Sequence, residues 1–384
     1  MPWPSDHLNR EGSVTLINAP KNRGTILLYA DDPGAANYLA PLPKALLKFG
    51  LTTRFVVSPA LAEYCKDREI IAETRIPRHT PEQLLNGVDV VVLGTSEERD
   101  CWGHKLLLCA KDQKTQVVGV VDMAVNADKR FRGYSDNPLQ FAPDWIVVPD
   151  SFCESSFLKI GFSQDRILPI GHPHYDEVRS KRPQCHDASV WRTRYFPKAP
   201  NDRPLWLFLA EGVDRLDSEQ SFRNEDYTLH GRGDTNFRAA ICLQELIDAA
   251  QDLTPKPWIV LRPHPKNKPE EFSACIAGID EWAIGGDPTP MLLGADLVVG
   301  MTTMLLLEAY LLGCPTLSII PRNSERTWLP TIMGNLTVSV TTRNELRTAI
   351  KHKTYISKPS GVDELHILPV GATAKLANFI CDLL

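Results

Sequence analysis

The chain has 384 residues, is 43% hydrophobic and 23% charged, and carries a net charge of −5. That length exceeds one ordinary core and fits two domains of roughly 150–200 residues, while the mild acidity excludes a nucleic-acid coat. No apolar run approaches the roughly 18 residues of a membrane span, and residues 1–24 lack the apolar core of an export signal, so a cytoplasmic protein with an N-terminal extension is expected.

The first half alternates short apolar runs with helical patterns. Strands are expected at Thr25–Ala30, Thr52–Val57, Val88–Leu93, Gln116–Val121, Trp145–Val148 and Ile167–Ile170, with helices at Tyr38–Phe49, Lys105–Lys111 and Phe152–Ile160. Apolar strands separated by helices predict a parallel sheet covered on both faces. Ligands of such sheets sit beyond the carboxyl ends of the strands, and polar residues gather there. Asp31, Asp32 and Asn37 follow the first strand, Thr95 and Ser96 the third, Asp122 and Arg130 the fourth, and His172 the last. Each alone also suits a turn or a helix cap; together they line one edge, read as an acceptor site. The cluster Lys129, Arg130 and Arg132 suits either an anionic acceptor or a solvated loop, whereas Asp150-Ser151…Glu154 reads as helix capping. This half is assigned to residues 25–178.

Residues 179–204 are charged and proline-punctuated, as expected of an interdomain linker, with a short aromatic helix at Ser189–Tyr195. The second half, 205–384, opens with the strand Leu205–Ala210, which ends at Glu211-Gly212, and continues through a polar loop into an amphipathic helix, Asn236–Gln251. The strand Trp258–Arg262 then runs into Pro263-His264-Pro265-Lys266, a compact cationic patch that offers a bidentate fork and two further donors to phosphate oxygens. Trp282–Ile284 enters a Gly285-Gly286-Asp287 loop.

A βαβ unit follows, around which the second half is organised. Leu297–Val299 is a strand, Gly300-Met301-Thr302-Thr303 a turn, and Met304–Leu312 a helix closed by Gly313 and Pro315 before the strand Thr316–Ile320. A helix start has unpaired N–H groups and a partial positive charge, so it attracts an anion. Glu308, one turn inside an apolar helix, is costly unless it is solvated, paired or facing a ligand. Nine irregularly spaced cysteines without a Cys-x-x-Cys pair fit reduced thiols, and no metal site is expected.

Gly300, Thr302, Thr303, Glu308, Leu312, Gly313 and Pro315 resemble the nucleotide-binding element of GT-B-type glycosyltransferases and the related nucleotide-sugar epimerases. The Arg262-Pro263-His264-Pro265 loop is similar to one in capsule-type glycosyltransferases and in enzymes that transfer polyol phosphates from cytidine diphosphate donors. The stretch from Pro149 to Glu177 resembles the close of a GT-B N-terminal domain. The resemblance implies an α/β, GT-B-like fold of two Rossmann-like domains whose parallel sheets face each other across a cleft, with the nucleotide donor on the C-terminal one. It implies that Arg262, His264, Lys266, Thr302 and Thr303 meet the donor diphosphate and that Glu308 meets the ribose. The function it implies is metal-independent sugar transfer from a nucleoside-diphosphate sugar to an acceptor hydroxyl, as in polysaccharide biosynthesis, with no further cofactor. The expected base is Asp31 or Asp32, then His172; Glu211 joins the cleft residues. Three alternatives stay open. A cytidine-dependent polyol phosphotransferase would use His172 or His174 as a second histidine, a UDP-sugar 2-epimerase would need several acidic residues around the sugar, and a non-catalytic sugar- or nucleotide-binding protein would need neither.

Overall fold

The computed structural model describes residues 23–123, 125–182, 188–212, 221–356 and 364–384. The extension expected before the first strand, up to residue 22, and the first part of the polar loop after Gly212 lie outside the described residues.

Two parallel sheets carry the molecule. The first contains β1 (Thr25–Ala30), β2 (Thr52–Val57), β3 (Glu73–Thr74), β4 (Val90–Gly94), β5 (Gln116–Val120), β6 (Trp145–Val148) and β7 (Ile167–Pro169), in the spatial order β3-β2-β1-β4-β5-β6-β7. The second contains β8 (Leu205–Leu209), β9 (Trp258–Arg262), β10 (Glu281–Trp282), β11 (Leu297–Gly300), β12 (Thr316–Ile319) and β13 (Val338–Val340), ordered β10-β9-β8-β11-β12-β13. Every strand–strand ladder is parallel, as between β1 and β2 (Thr25 opposite Thr52) and between β8 and β9 (Leu205 opposite Trp258). Runs such as Val90–Leu93 and Leu205–Leu209 are buried along their whole length, because helices cover both faces.

In both sheets the order reverses at the first strand of the half: β1 lies between β2 and β4, and β8 between β9 and β11. A crevice opens beyond the strand ends at such a reversal. The two reversals bring Asp31 and Asp32 together with Thr95 in one domain, and Glu211 together with Arg262 and Thr302 in the other.

The first helical region departs from expectation. One helix over Tyr38–Phe49 is replaced by two, Pro33–Leu39 and Leu42–Leu47, parted at Pro41 and Pro43. Prolines interrupt the helical hydrogen bonds at the break, and the earlier start is capped by Asp32, whose Oδ1 accepts the Ala35 N–H at 2.9 Å. A helix not foreseen, Pro173–Ser180, follows β7; its first residue is the proline of Gly171-His172-Pro173, which suits the first helical position. The last helix, Ala372–Asp382, leaves the second half and buries Leu376, Ala377 and Ile380 in the core of the first sheet, with Phe379 edge-on to Trp145 at 5.1 Å. No helix among the described residues is long and apolar enough to cross a membrane.

Candidate functional site

On the C-terminal wall, β8 ends between two elements rich in donors. The Thr302 N–H and hydroxyl both reach the Glu211 carboxylate, and Thr303 caps the helix Met304–Leu312 by accepting the Leu305 N–H at 3.3 Å. On the other side, Asn267 Nδ2 donates to the Glu211 carbonyl at 3.0 Å, and the His264 ring packs over Gly212. A Cβ at Gly212 would come within 2.6 Å of His264 Nδ1, so only glycine permits that approach. The Thr302 turn before the Met304 helix and the His264 loop therefore flank adjacent residues, Glu211 and Gly212, at the end of β8.

The donors are already partly engaged. Arg262 spends its guanidinium on the Gly285 and Gly286 carbonyls, at 2.8 and 2.9 Å, which fixes the glycine loop at the cleft edge. His264 Nδ1 accepts the Lys266 N–H at 3.1 Å, leaving Nε2 to carry the proton. Burial, helped by nearby Lys266, holds its pKa below the usual histidine value. Lys266 itself is exposed. The anion at the helix start is the chain's own Glu211, anchored by Arg238, which is 6% exposed and also grips Glu325. Arg238 and Glu325 had no motif to announce them; the one available signal was a charged residue in the first turn of a strongly apolar helix, Arg238–Ala250.

On the N-terminal wall, the strand ends hold a compact ionic cluster. Arg130, 2% exposed, meets Asp122 at 2.9 Å and Glu97 at 3.6 Å, and donates to Thr95 Oγ1 at 3.2 Å. Asp122 lies against Gly34, where a Cβ would fall 2.1 Å from its Oδ2, and this brings it close to Asp32. Burial and the negative charge of Asp122 push the Asp32 pKa up to about 7. Asp31 has a different place. It accepts from the Tyr29 hydroxyl at 2.6 Å, the Cys101 thiol at 2.9 Å and the Gly103 N–H at 3.0 Å, and so ties the end of β1 to the start of the helix Trp102–Asp112 that follows β4. Ser96 accepts the Glu98 N–H at 3.2 Å. Of Lys129, Arg130 and Arg132, the cluster that would suit an anionic acceptor, Arg130 is thus surrounded by carboxylates.

His172 caps the Pro173–Ser180 helix through Nδ1, which accepts the His174 N–H at 3.1 Å, and its ring lies 4.4 Å from each of Tyr38 and Tyr175. Burial, with His174 adding to it, keeps it neutral. His174, by contrast, reaches the neighbouring Met304–Leu312 helix: its Nε2 is 3.0 Å from Glu308 Oε1. A cleft of about 1420 Å³ is lined by Asn37, Tyr64, Arg68 and His174 on one side and by Pro265 and Gly286 on the other; of the expected acceptor and diphosphate residues only Asn37 is in its lining, and Asp32, Glu211, His264 and Thr302 are not.

No protein-family model matches the chain, and no curated protein sequence does. Solved structures do. The UDP-GlcNAc 2-epimerase of Methanocaldococcus jannaschii superposes with a TM-score of 0.65 at 13% identity, over 93% of this chain and 99% of that one. The Neisseria meningitidis UDP-GlcNAc 2-epimerase bound to UDP-GlcNAc gives 0.62 at 14%, over 93% and 99%. The wall teichoic acid polymerase TagF gives 0.54 at 14%, over 95% and 89%. The fold is GT-B-like. Two Rossmann-like domains face each other through the carboxyl ends of their sheets, as the resemblance implied.

Proposed function

We propose that this protein is an enzyme acting on a nucleoside-diphosphate sugar bound across the cleft, and that it transfers the sugar to an acceptor hydroxyl. The observation that carries the reading is the opposition of the two strand-end reversals. One offers an amide-rich helix start beside the Arg262–Lys266 loop, and the other a carboxyl group, Asp32, held at a pKa of about 7. A general base works best near the operating pH, and Asp32 meets that requirement through burial and Asp122. A departing nucleoside diphosphate gains negative charge as the glycosidic bond breaks, and fixed dipoles and cations stabilise that charge without reorganising. Thr303 and the first helical N–H groups, with His264 Nε2 and Lys266, would supply them. Asp32 would take the proton of the acceptor hydroxyl, and Glu308 would hold the ribose.

A second reading, 2-epimerisation of a UDP-sugar, is favoured by one specific feature. Asp32, Glu97 and Asp122 gather around a single cation, Arg130, so more than one carboxyl group stands ready to remove and return a proton. The UDP-GlcNAc epimerases among the similar structures are consistent with it. The test is product analysis of the purified protein with a panel of UDP-, CDP-, GDP- and dTDP-linked sugars, with and without hydroxyl acceptors. Transfer demands an acceptor and yields a glycoside; epimerisation proceeds from the nucleotide sugar alone. Absence of any product, with no nucleotide raising the melting temperature, would sink both.

A further inference from the structure

Glu308 and His174 lie on helices that follow strands of different sheets. Glu308 lies in the Met304–Leu312 helix that follows β11, and His174 in the Pro173–Ser180 helix that follows β7. The two helices pack against each other, and the side chains meet at 3.0 Å, with 20% and 18% of their surfaces exposed. The other ring nitrogen, Nδ1, is 3.8 Å from Glu177 Oε2, so the imidazole sits between two carboxylates on the cleft wall. Glu308 Oε1 is occupied by this contact; among the described residues no hydrogen bond reaches Oε2.

A carboxylate that must recognise a ribose has to present an oxygen in a defined direction. A long side chain loses rotamer freedom only when something holds it. Here the holder is the neighbouring helix, whose Tyr175 and Val178 are buried in the same core as Leu306 and Leu307. We propose that His174 is a positioning residue for nucleotide recognition: it pins Glu308 through Oε1 and leaves Oε2 for the ribose hydroxyls. This rests on the nucleotide-sugar reading given above. It adds that discrimination between ribose and 2′-deoxyribose depends on a residue of the helix that follows β7.

The test is the ratio of dissociation constants for a nucleoside diphosphate and its 2′-deoxy counterpart, measured by calorimetry for the base that binds best. A charge-assisted hydrogen bond to a hydroxyl gives a preference of tenfold or more for the ribo form. Wild type should show it. Glu308→Gln and His174→Ala should each cut the ratio to about threefold or less, and the double variant should lose no more than either alone. His174→Gln, which still donates to Glu308, should recover most of it. A role in stability alone would weaken both ligands equally and leave the ratio untouched, which would overturn the proposal. If His174→Ala does not fold, His174→Asn, too short to reach Glu308, decides in its place. Binding with an unchanged ratio removes the role of His174 and spares the nucleotide reading; no binding of any nucleoside diphosphate by wild type removes both.

Discussion

Glu211 places its carboxylate on the Thr302 N–H, at the turn where a donor phosphate is proposed to bind. Arg238 holds it there. A bound diphosphate would therefore lie beside a fixed negative charge, and binding would include that repulsion. Two unit charges several ångströms apart at a protein surface repel by about 1 kcal/mol after screening. Glu211→Gln keeps an acceptor for Thr302 and removes the charge. It should tighten a nucleoside diphosphate about fivefold while costing about 1–2 kcal/mol of fold stability, because Arg238 retains Glu325. Calorimetric titration beside a urea melt separates the two effects, and weaker binding by this variant would contradict the placement of the phosphate.

Asp32 offers the sharpest test of the reaction. Asp32→Asn can still accept the Ala35 N–H through its remaining oxygen, so the helix cap survives. Turnover should fall by about 10²–10⁴, the usual worth of a general base, with nucleotide affinity unchanged. In wild type the base must be ionised, so kcat/KM should rise with pH and level off above about pH 7. Asp122→Asn removes the like charge that raises Asp32 and should move that limb toward lower pH. A limb that stays near pH 7 in Asp122→Asn would assign the titration to another group.

The fold was largely readable because parallel strands buried on both faces are spelled as unbroken apolar runs, and β1, β6 and β9 begin and end where those runs do. The polar strand ends were equally visible, since Asp32, Asp122, Glu211 and Thr302 each follow such a run. What each does there was not. That Asp31 is engaged and Asp32 is not engaged in the same way depends on Tyr29, Cys101 and Gly103, the last two distant in sequence. The charge state of His172 depends on burial, to which the Tyr38 ring from a distant helix contributes, and on His174. The His174–Glu308 pair spans 134 residues and arises from helix packing, which leaves no periodicity in a single chain.

That pair also carries a pH signature. Burial opposes charge on His174, but the Glu177 and Glu308 carboxylates outweigh it and raise the pKa to about 9, with His172 the neighbouring imidazole and Lys181 close to Glu177. A folded pKa above the unfolded value of about 6.5 means stability that is fully present below pH 6.5 and lost as pH rises through 9. The loss should amount to about 2–3 kcal/mol across that window. Denaturant melts of wild type and His174→Ala at pH 6 and pH 9.5 check it. The variant should be less stable at pH 6 and should lose most of the pH dependence; equal slopes in both proteins would show that the window belongs to other groups.

Glu325, in the short turn Asn323–Thr327 that follows β12, is 0% exposed and holds two guanidinium groups. Arg322 Nε donates to its Oε1 at 2.7 Å, and Arg238 Nε lies 3.1 and 3.0 Å from its two oxygens, with the Trp328 ring beneath both cations. This buried carboxylate sets the position of Arg238, Arg238 sets that of Glu211, and Glu211 occupies the Thr302 turn. Breaking a buried ion pair from one side leaves an uncompensated charge and costs about 3–5 kcal/mol. Glu325→Gln should lower the unfolding free energy measured in urea by that amount and release Arg238 toward Glu211, its one remaining carboxylate among the described residues. Because the damage reaches the helix start, nucleotide affinity should change with it, whereas Arg343→Ala, which breaks the pair with buried Glu245 and touches neither Arg238 nor Glu211, should leave affinity unchanged. A Glu325→Gln protein that melts like wild type would mean that Arg238 finds its charge balance elsewhere.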